Sequence, residues 1–548
     1  MVDTRYGDTP ARENQGAQPP AASMVWDAWG IPAGHQPLSA QIRGLLAQVF
    51  GISGDPVVRR DEGDVPLRES ALTPAQRDGL VAVVGVGNVS TDHHDRLVRA
   101  GGKSTPDLLR RRLDGLQDAP DAVVFPADHE QVLAVLAYCA DNAVAVVPFG
   151  GGTSVVGGVE PDRGRFATVI ALDLRRLDRL HAVDPVSGTA TFGAGVTGPR
   201  AEELLAAHGL SLGHFPQSFE FASIGGFAAT RSSGQASAGY GRFDDMVQRL
   251  RIATPSGDLE LGHAPASAAG PDLRELFVGS EGAFGVLTEV TVRVRPRPET
   301  VVHQAWSFPD FATGAVALRA VVQAGAAPTV LRLSDEAETG LNLARSGDIG
   351  GGSVQGCLAI TTFEGTRAHI ERRVAEAEAL LLAAGGAALG SAPAEQWEHG
   401  RFAAPYLRDA LLDLGVLCET LETATSWSAL AEVKAKVTAA LTDSLSGQGT
   451  PPVVMCHISH TYPTGASLYF TVVAKQTDDP LTQWGIAKRA AGDAIVAAGA
   501  TITHHHAVGT DHRPWLTAEI GELGVRVLRA VKRELDPVGI MNPGKLIR

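Results

Sequence analysis

Two arginines, one tyrosine and two groups of histidines stand in settings suited to acid–base and anion chemistry. His504, His505 and His506 are consecutive in the stretch THHHAVG. They lie between two structured-looking segments, where a purification tag would not sit. Imidazoles exchange protons and bind metals near neutral pH. In an extended chain His504 and His506 would face one side and His505 the other, so their jobs should differ. His457 and His460 stand three apart in CHISHTY, too far to share a strand face. Tyr469, in GASLYFTVV, shares a face with Ser467, opposite Leu468 and Phe470. Its default reading is a core tyrosine; a phenol of pKa about 10 needs positive neighbours to act as a base. Arg332 ends a predicted strand, and Arg408 lies in PYLRD. A guanidinium binds phosphate or carboxylate through two parallel hydrogen bonds. From spacing alone both read as salt bridges, Arg408 with Asp409 and Arg332 with Asp335.

The elements around these residues alternate in type. After a polar, Pro- and Ala-rich start (residues 1–23), read as disordered, residues 24–116 carry helical patterns. In STPDLLRRRLDGL, Ser104 or Thr105 can cap and Pro106 suits the first turn. From residue 117 to 298, short strands alternate with helices: DAVVFPAD, a helix capped by Asp128, AVAVVPFGGG, FATVIALDL, TATFGAGV, and a helix from Pro199 to Gly209. Val290, Val292 and Val294 alternate with polar residues in a half-buried strand stopped by Pro296. Residues 299–500 restart with strands near 301–308 and 329–333, amphipathic helices at 367–384, 427–444 and 481–498, and the strand SLYFTVVAK. Residues 501–548 hold the histidine run and a long helix from Trp515 to Leu535. The fold class is α+β, with two mixed domains and helical extensions at each end.

Three glycine-rich loops punctuate the first mixed domain. PFGGGTSVVGG follows a strand, and its glycines let backbone N–H groups approach an anionic ligand. It is neither GxGxxG nor a Walker A loop. A small-residue stretch over 217–247 and GSEGAFGVLTEV over 279–290 add two more backbone-exposing segments. Together they suit an extended, pyrophosphate-bearing cofactor.

The chain has 548 residues, 47 basic and 61 acidic, for a net charge of −14. That excludes a nucleic-acid surface as the main partner. The four cysteines show no CxxC spacing, so a reducing, cytoplasmic compartment is the simplest reading. No apolar run is long enough for a transmembrane helix.

The combination PFGGGTS, then SFEFASIGG with ATRSSG and GRFDD, then GSEGAFGVLTE resembles the PCMH-type FAD-binding domain of the vanillyl-alcohol oxidase superfamily. Within it the chain is most similar to the alkyldihydroxyacetonephosphate synthases, the ether-lipid enzymes. MVWDAWG, VLRLSD, PYLRD, YPTGASLYF and THHHAVG extend the likeness from residue 24 onward. The resemblance implies a two-subdomain FAD-binding domain, a substrate or cap domain with a mixed or antiparallel sheet, and a C-terminal segment completing the active site. It implies FAD contacts from Pro148, Phe149, Gly150, Gly151, Gly152, Thr153 and Ser154. Further contacts come from Gln217, Ser218, Phe219, Glu220, Phe221, Ala222 and Ser223, and from Thr230, Arg231, Ser232 and Ser233. A last set is Glu281, Gly282, Ala283, Phe284, Gly285, Val286 and Leu287. Relatives with covalent flavin often have a histidine near the first loop; Thr153 stands here, so non-covalent FAD is expected.

By the same resemblance Arg408 binds substrate phosphate, Arg332 lies near the flavin, Tyr469 transfers a proton, and all three consecutive histidines serve activity, which fits a bent loop rather than a flat strand. The implied reaction exchanges the acyl group of acyl-dihydroxyacetone phosphate for a fatty alcohol through a flavin N5 adduct, without net redox. The alternative is an FAD-dependent dehydrogenase or oxidase of a 2-hydroxy acid or alcohol, a reading that the ending MNPGK and Ala507 keep open. In the 2-hydroxy-acid enzymes of this superfamily the histidine regions can hold a metal. Here His505 replaces their usual glutamate, so no metal is expected. The resemblance also implies a homodimer, a lipid substrate and peripheral membrane contact.

Overall fold

The computed structural model describes residues 24–113, 115–341, 349 and 354–547. The tail expected to be disordered, 1–23, lies outside the described residues. The first mixed region contains two sheets. Strands β1 (Val89–Ser90), β2 (Ala122–Val124), β3 (Val144–Phe149) and β4 (Thr168–Asp173) line up as β1-β2-β4-β3. β4 runs parallel to both β2 and β3, and the helix His129–Asp141 makes the crossover. Asp128 caps that helix by accepting from the Gln131 N–H. β3 therefore delivers its glycine loop at the carboxyl end of a parallel sheet, where α/β proteins bind ligands.

The second sheet, β5 (Leu180–Asp184), β6 (Thr189–Gly193), β8 (Val247–Thr254), β9 (Gly257–Leu261) and β10 (Val286–Arg293), is antiparallel in the order β5-β6-β10-β8-β9. A small pair joins β7 (Leu210–Ser211) to β11 (Arg295–Pro296). Pro296 thus belongs to a strand pair of its own, and the strand it was expected to stop ends earlier, at Arg293.

The remaining strands are β12 (Thr300–Phe308), β13 (Val330–Ser334), β14 (Cys357–Gly365), β15 (Ala387–Gly390), β16 (Val416–Ser426), β17 (Val453–Ile458), β18 (Thr461–Tyr462) and β19 (Gly465–Lys475). They form one antiparallel sheet ordered β15-β12-β14-β13-β17-β19-β16, with β18 added to β19. One face is apolar. Leu333, Cys456, Ile458, Leu468, Phe470, Val472, Leu417 and Leu421 pack there against helices Phe311–Gln323, Arg367–Ala383, Leu430–Gly447 and Pro480–Ala497. This burial commits the opposite residues of each strand to the other face, towards the FAD-type domain. The last long helix, Leu516–Leu535, is broken at Gly521 (φ 73°, ψ 163°) and is not the continuous rod the periodicity suggested. All four cysteines are buried and free.

Candidate active site

Antiparallel register places the chemistry. Cross-strand partners project from the same face. Ser334 pairs with His457, His457 with Tyr469, and Tyr469 with Glu422, which makes one row across four strands. The next row is Met455, Thr471 and Thr420, and Arg332 lies one pleat along β13 from Ser334. Arg332, His457, Tyr469, Met455, Thr471 and Thr420 all line a single cavity of about 820 Å³. That volume is at the large end for cofactor and ligand sites.

Two buried acids organise this face. Glu338, in the short helix Glu336–Gly340, bonds Arg332, accepts from the Ser334 hydroxyl at 3.0 Å, and takes His457 Nδ1 at 2.9 Å. Although burial opposes its charge, His457 and Arg332 hold its carboxyl well below the usual range. The expected Arg332–Asp335 pair does not form; Asp335 caps the helix and pairs with Lys434 at 3.1 Å. Glu338 reads in the sequence as a capping-box acid, three residues after the cap, and its role at the cavity was missed.

Glu422 is the second. Its carboxylate accepts the backbone N–H groups of His504 (2.6 Å), His505 (3.2 Å) and His506 (3.0 Å), and the Thr503 hydroxyl at 2.5 Å. The histidine run is therefore a bent loop wrapped around one anion. The bent loop that fits activity of all three is what forms, without the alternation of an extended chain: His505 and His506 both line the cavity, while His504 turns away to Tyr462 (2.6 Å) and stacks on His460 at 5.0 Å. The three carboxylate-bound amides set the side-chain directions in place of strand pleating. Burial keeps all three imidazoles below their ordinary pKa, His504 at about 3.

Tyr469 stacks on His457 at 4.9 Å and meets His506 edge-on at 5.7 Å. Burial pushes the phenol up to about 12, outweighing the downward pull of Arg408. Near neutrality it holds its proton between neutral imidazoles.

At another part of the cavity Arg408, on helix Ala404–Leu412, bonds Asp409 (3.0 Å) and the Lys103 carbonyl (2.5 Å). The salt bridge with Asp409 expected from spacing is present, and the same arginine still lines the cavity. Burial disfavours its charge, yet Asp409 and Glu419 raise its pKa. Lys103, Trp29 and Glu419 line the cavity too, and sequence reasoning missed them. Leu38, Ile42, Leu407, Leu411 and Val473 give the cavity an apolar arm, packed as one cluster that includes the helix carrying Arg408.

The glycine loops form the opposite wall. Pro148 to Ser154 all line the cavity, as do Gln217, Ser218, Ala222, Ser223, Thr230, Ser232, Ser233, Glu281, Gly282, Gly285, Val286 and Leu287. Glu220 and Phe221 line an adjoining hollow of about 220 Å³ with Gly151 and Gly152. Four expected cofactor residues lie elsewhere. Phe219 stacks on Phe402, Ala283 and Phe284 pack in the core, and Arg231 pairs outward with Asp244 and Glu275. Each sits inside a loop whose neighbours face the cavity, so position in a motif did not decide orientation. Glu281 clamps the cradle to the histidine segment by accepting the N–H groups of Val508 (3.0 Å) and Gly509 (2.9 Å).

His460, His504 and His505 bring ligand-type atoms within 4.8 Å of one another. Both nitrogens of His504 are already hydrogen-bonded, to Tyr462 and to His505. His460 joins them by ring contacts, at 5.0 Å from His504, and its buried Nδ1 has no hydrogen-bond partner among the described residues.

Known proteins share this arrangement. Residues 120–261 match the FAD binding domain model and 297–546 the model of the C-terminal domain of FAD linked oxidases. An alkyldihydroxyacetonephosphate synthase of Trypanosoma brucei brucei is 33% identical over 96% of this chain and 92% of its own. The chain belongs to the alkyldihydroxyacetonephosphate synthase family. Its Dictyostelium discoideum relative is 34% identical over 82% of this chain and 77% of its own. A solved synthase superimposes with a TM-score of 0.82 at 29% identity, over 96% of this chain and 99% of that one. A glycolate oxidase subunit of Bacillus subtilis is more distant, at 26% identity over 87% of this chain and 97% of its own.

FAD is the cofactor of this family's binding domain, and the wall of glycine loops fits it. A Cβ on Gly151 would stand 2.0 Å from the Phe221 carbonyl oxygen, so only glycine lets these segments meet. Gln217 Nε2 is buried beside the cavity without a hydrogen-bond partner among the described residues, as a donor kept for a ligand would be.

Proposed function

We propose that this protein is an FAD-dependent transferase that exchanges the acyl group of acyl-dihydroxyacetone phosphate for a long-chain alcohol. The supporting observation is the amphiphilic cavity, lined by Tyr469 from the sheet, Arg408 from its helix, His505 and His506 from their loop, the glycine loops, and an apolar arm of Leu38, Ile42, Leu407, Leu411 and Val473. Bound FAD supplies the ring nitrogen that reacts with the substrate carbon. The protein supplies the rest. Arg408, charged and fixed by Asp409, binds the phosphate. Tyr469 holds a proton beside the substrate carbon and delivers or recovers it there. His505 and His506, neutral and oriented through Glu422, donate hydrogen bonds to the departing carboxylate. The apolar arm takes the alkyl chains and excludes water. The balance is acyl ester plus alcohol giving ether, carboxylate and one proton, so no electrons are gained or lost overall.

Non-covalent FAD belongs to this reading, because residues 148–154 contain no histidine; acid precipitation should release the flavin into the supernatant. Homodimerisation and peripheral membrane contact belong to it as well, and sedimentation with and without vesicles tests both. No helix among the described residues is long and apolar enough to cross a membrane.

The deciding experiment gives the purified holoprotein acyl-dihydroxyacetone phosphate with a fatty alcohol and, separately, a panel of 2-hydroxy acids under anaerobic conditions. Ether formation with the flavin remaining oxidised in the second arm is expected. Flavin bleaching by a 2-hydroxy acid without ether formation would reject the transferase in favour of a dehydrogenase.

A further inference from the structure

We infer that His457, clamped by Glu338, is the general base that takes the proton of the incoming alcohol. This rests on the transferase reading above and adds a residue to it. His457 lines the cavity. Its Nδ1 is bonded to Glu338 at 2.9 Å, and its ring lies nearly parallel to Tyr469, 22° between planes. One nitrogen and one ring face are thus fixed. A carboxylate only accepts hydrogen bonds, so Nδ1 carries the proton in this pair and Nε2 keeps its lone pair. A base oriented at its far nitrogen by a buried acid is the arrangement that activates hydroxyl groups in nucleophilic catalysis.

Two further observations give the alcohol this place. Along β17 and β19, cavity-lining residues run from His457 and Tyr469 to Met455 and Thr471, and then to Val473. A chain with a hydroxyl head and an apolar tail laid along these rails puts its head at the edges of the stacked His457 and Tyr469 rings. Tyr469, pushed up to about 12 by burial, keeps its own proton and is no base near neutrality. His457 is held below the ordinary imidazole value, by burial and by Arg332, against the pull of Glu338. The groups facing it are Arg332 from β13, Glu338 from its short helix, Tyr469 from β19, His505 from the C-terminal segment, and His460 from its own segment.

In the step itself the alcohol O–H bond breaks and its proton passes to Nε2. The oxygen's electron pair forms the new ether bond at the carbon the acyl group has left, where it would displace the ring nitrogen that bound FAD supplies, the pair of that C–N bond returning to the nitrogen. The acyl group has departed as carboxylate with the pair of its own C–O bond, and the proton finally leaves His457 for solvent.

The test uses FAD-loaded protein, palmitoyl-dihydroxyacetone phosphate and hexadecanol. Palmitate release is measured before the alcohol is added, and ether formation after. His457→Gln should slow ether formation about 100-fold more than it slows palmitate release, and should remove the rise of the ether-forming rate with pH. Glu338→Gln should act in the same direction with a smaller loss. Equal slowing of both steps, or unchanged ether formation, overturns the inference. Wild-type protein that releases no palmitate and makes no ether overturns the parent reading, and it does so without any substitution. Ring nitrogen-15 shifts of the unmodified holoprotein, assigned by the signals lost in His457→Gln, give a readout independent of turnover. They should show His457 protonated at Nδ1 and bare at Nε2 near neutral pH; the opposite tautomer or an imidazolium there overturns the inference.

Discussion

In the cofactor wall, what faces the cavity is largely backbone and small side chains: Gly150, Gly151, Gly152, Ser223 and Gly282. On the sheet wall it is large ionisable side chains at alternate positions of three strands, Arg332, His457 and Tyr469, the first two braced by the buried Glu338. The first design brings chain segments close, and so depends on missing Cβ atoms. The second depends on register, because a slip of one residue would turn Arg332, His457 and Tyr469 into the apolar core. Damage to the two walls should therefore read out differently. The cofactor wall should lose flavin, whereas the sheet wall should lose turnover with flavin retained.

The largest effect is expected from Gly151→Ala. The added methyl meets the backbone carbonyl of Phe221 at 2.0 Å, which no rotamer change relieves. The variant should purify without visible flavin absorbance and without turnover. Retained flavin at normal stoichiometry would show that the loops tolerate separation, and the contrast between the walls would weaken. Next is Tyr469→Phe, which deletes only the proton-bearing oxygen. Turnover should fall roughly 10²–10⁴-fold, with flavin content and the thermal midpoint nearly unchanged. Full activity would return Tyr469 to its default reading as a core tyrosine.

Glu422→Ala probes the boundary between the designs, since a side chain of the sheet there holds the backbone of a loop. It leaves three amides and one hydroxyl without their acceptor. Buried unpaired donors cost about 1–3 kcal/mol each, so denaturant unfolding should show a loss of roughly 3 kcal/mol or more. The pH dependence has a definite sign. His505, His506 and His504 outweigh burial and hold the carboxyl well below its ordinary value. Its stabilisation is thus present above the ordinary carboxylate range and lost as pH falls through that lowered value. The variant should lack this part of the acid-induced loss of stability.

The same contrast explains what the sequence disclosed. The glycine wall is three contiguous runs, and contiguous runs are what motif reading detects; the strands and helix caps, such as Asp128 and Ser104, follow from local alternation and capping chemistry. Arg332, Arg408, Tyr469 and the three histidines were singled out by type, but their assembly was not visible. It comes from strand register linking residues as distant as Ser334 and His457, and from the helix after Ser334 that carries Glu338 to His457. Glu338 and Glu422 look locally like a helix-start acid and a strand acid. The bend of the histidine run follows from the resemblance, but which imidazole turns away does not, because the loop is shaped by Glu422, on a strand far away in the chain.

The smallest expected effect concerns Glu281, which ties the cofactor wall to the histidine segment. Burial lifts its carboxyl to about 7, against the pull of the Val508 and Gly509 N–H groups. An acid whose folded value lies above its unfolded one, near 4.3, favours the folded state in its protonated form. That contribution is complete below about pH 4 and fades as pH rises through 7, by at most about 1.4 kcal/mol per pH unit. Glu281→Gln keeps an acceptor for the two amides and cannot ionise. Its stability should match wild type in acid and exceed it above pH 7, with flavin content unchanged. A wild-type profile that stays flat between pH 4 and 8 would mean that the two amides outweigh burial and that the clamp is charged throughout. The join between the walls would then rely on an anion held by backbone amides, as at Glu422, and the two acids would be one device used twice.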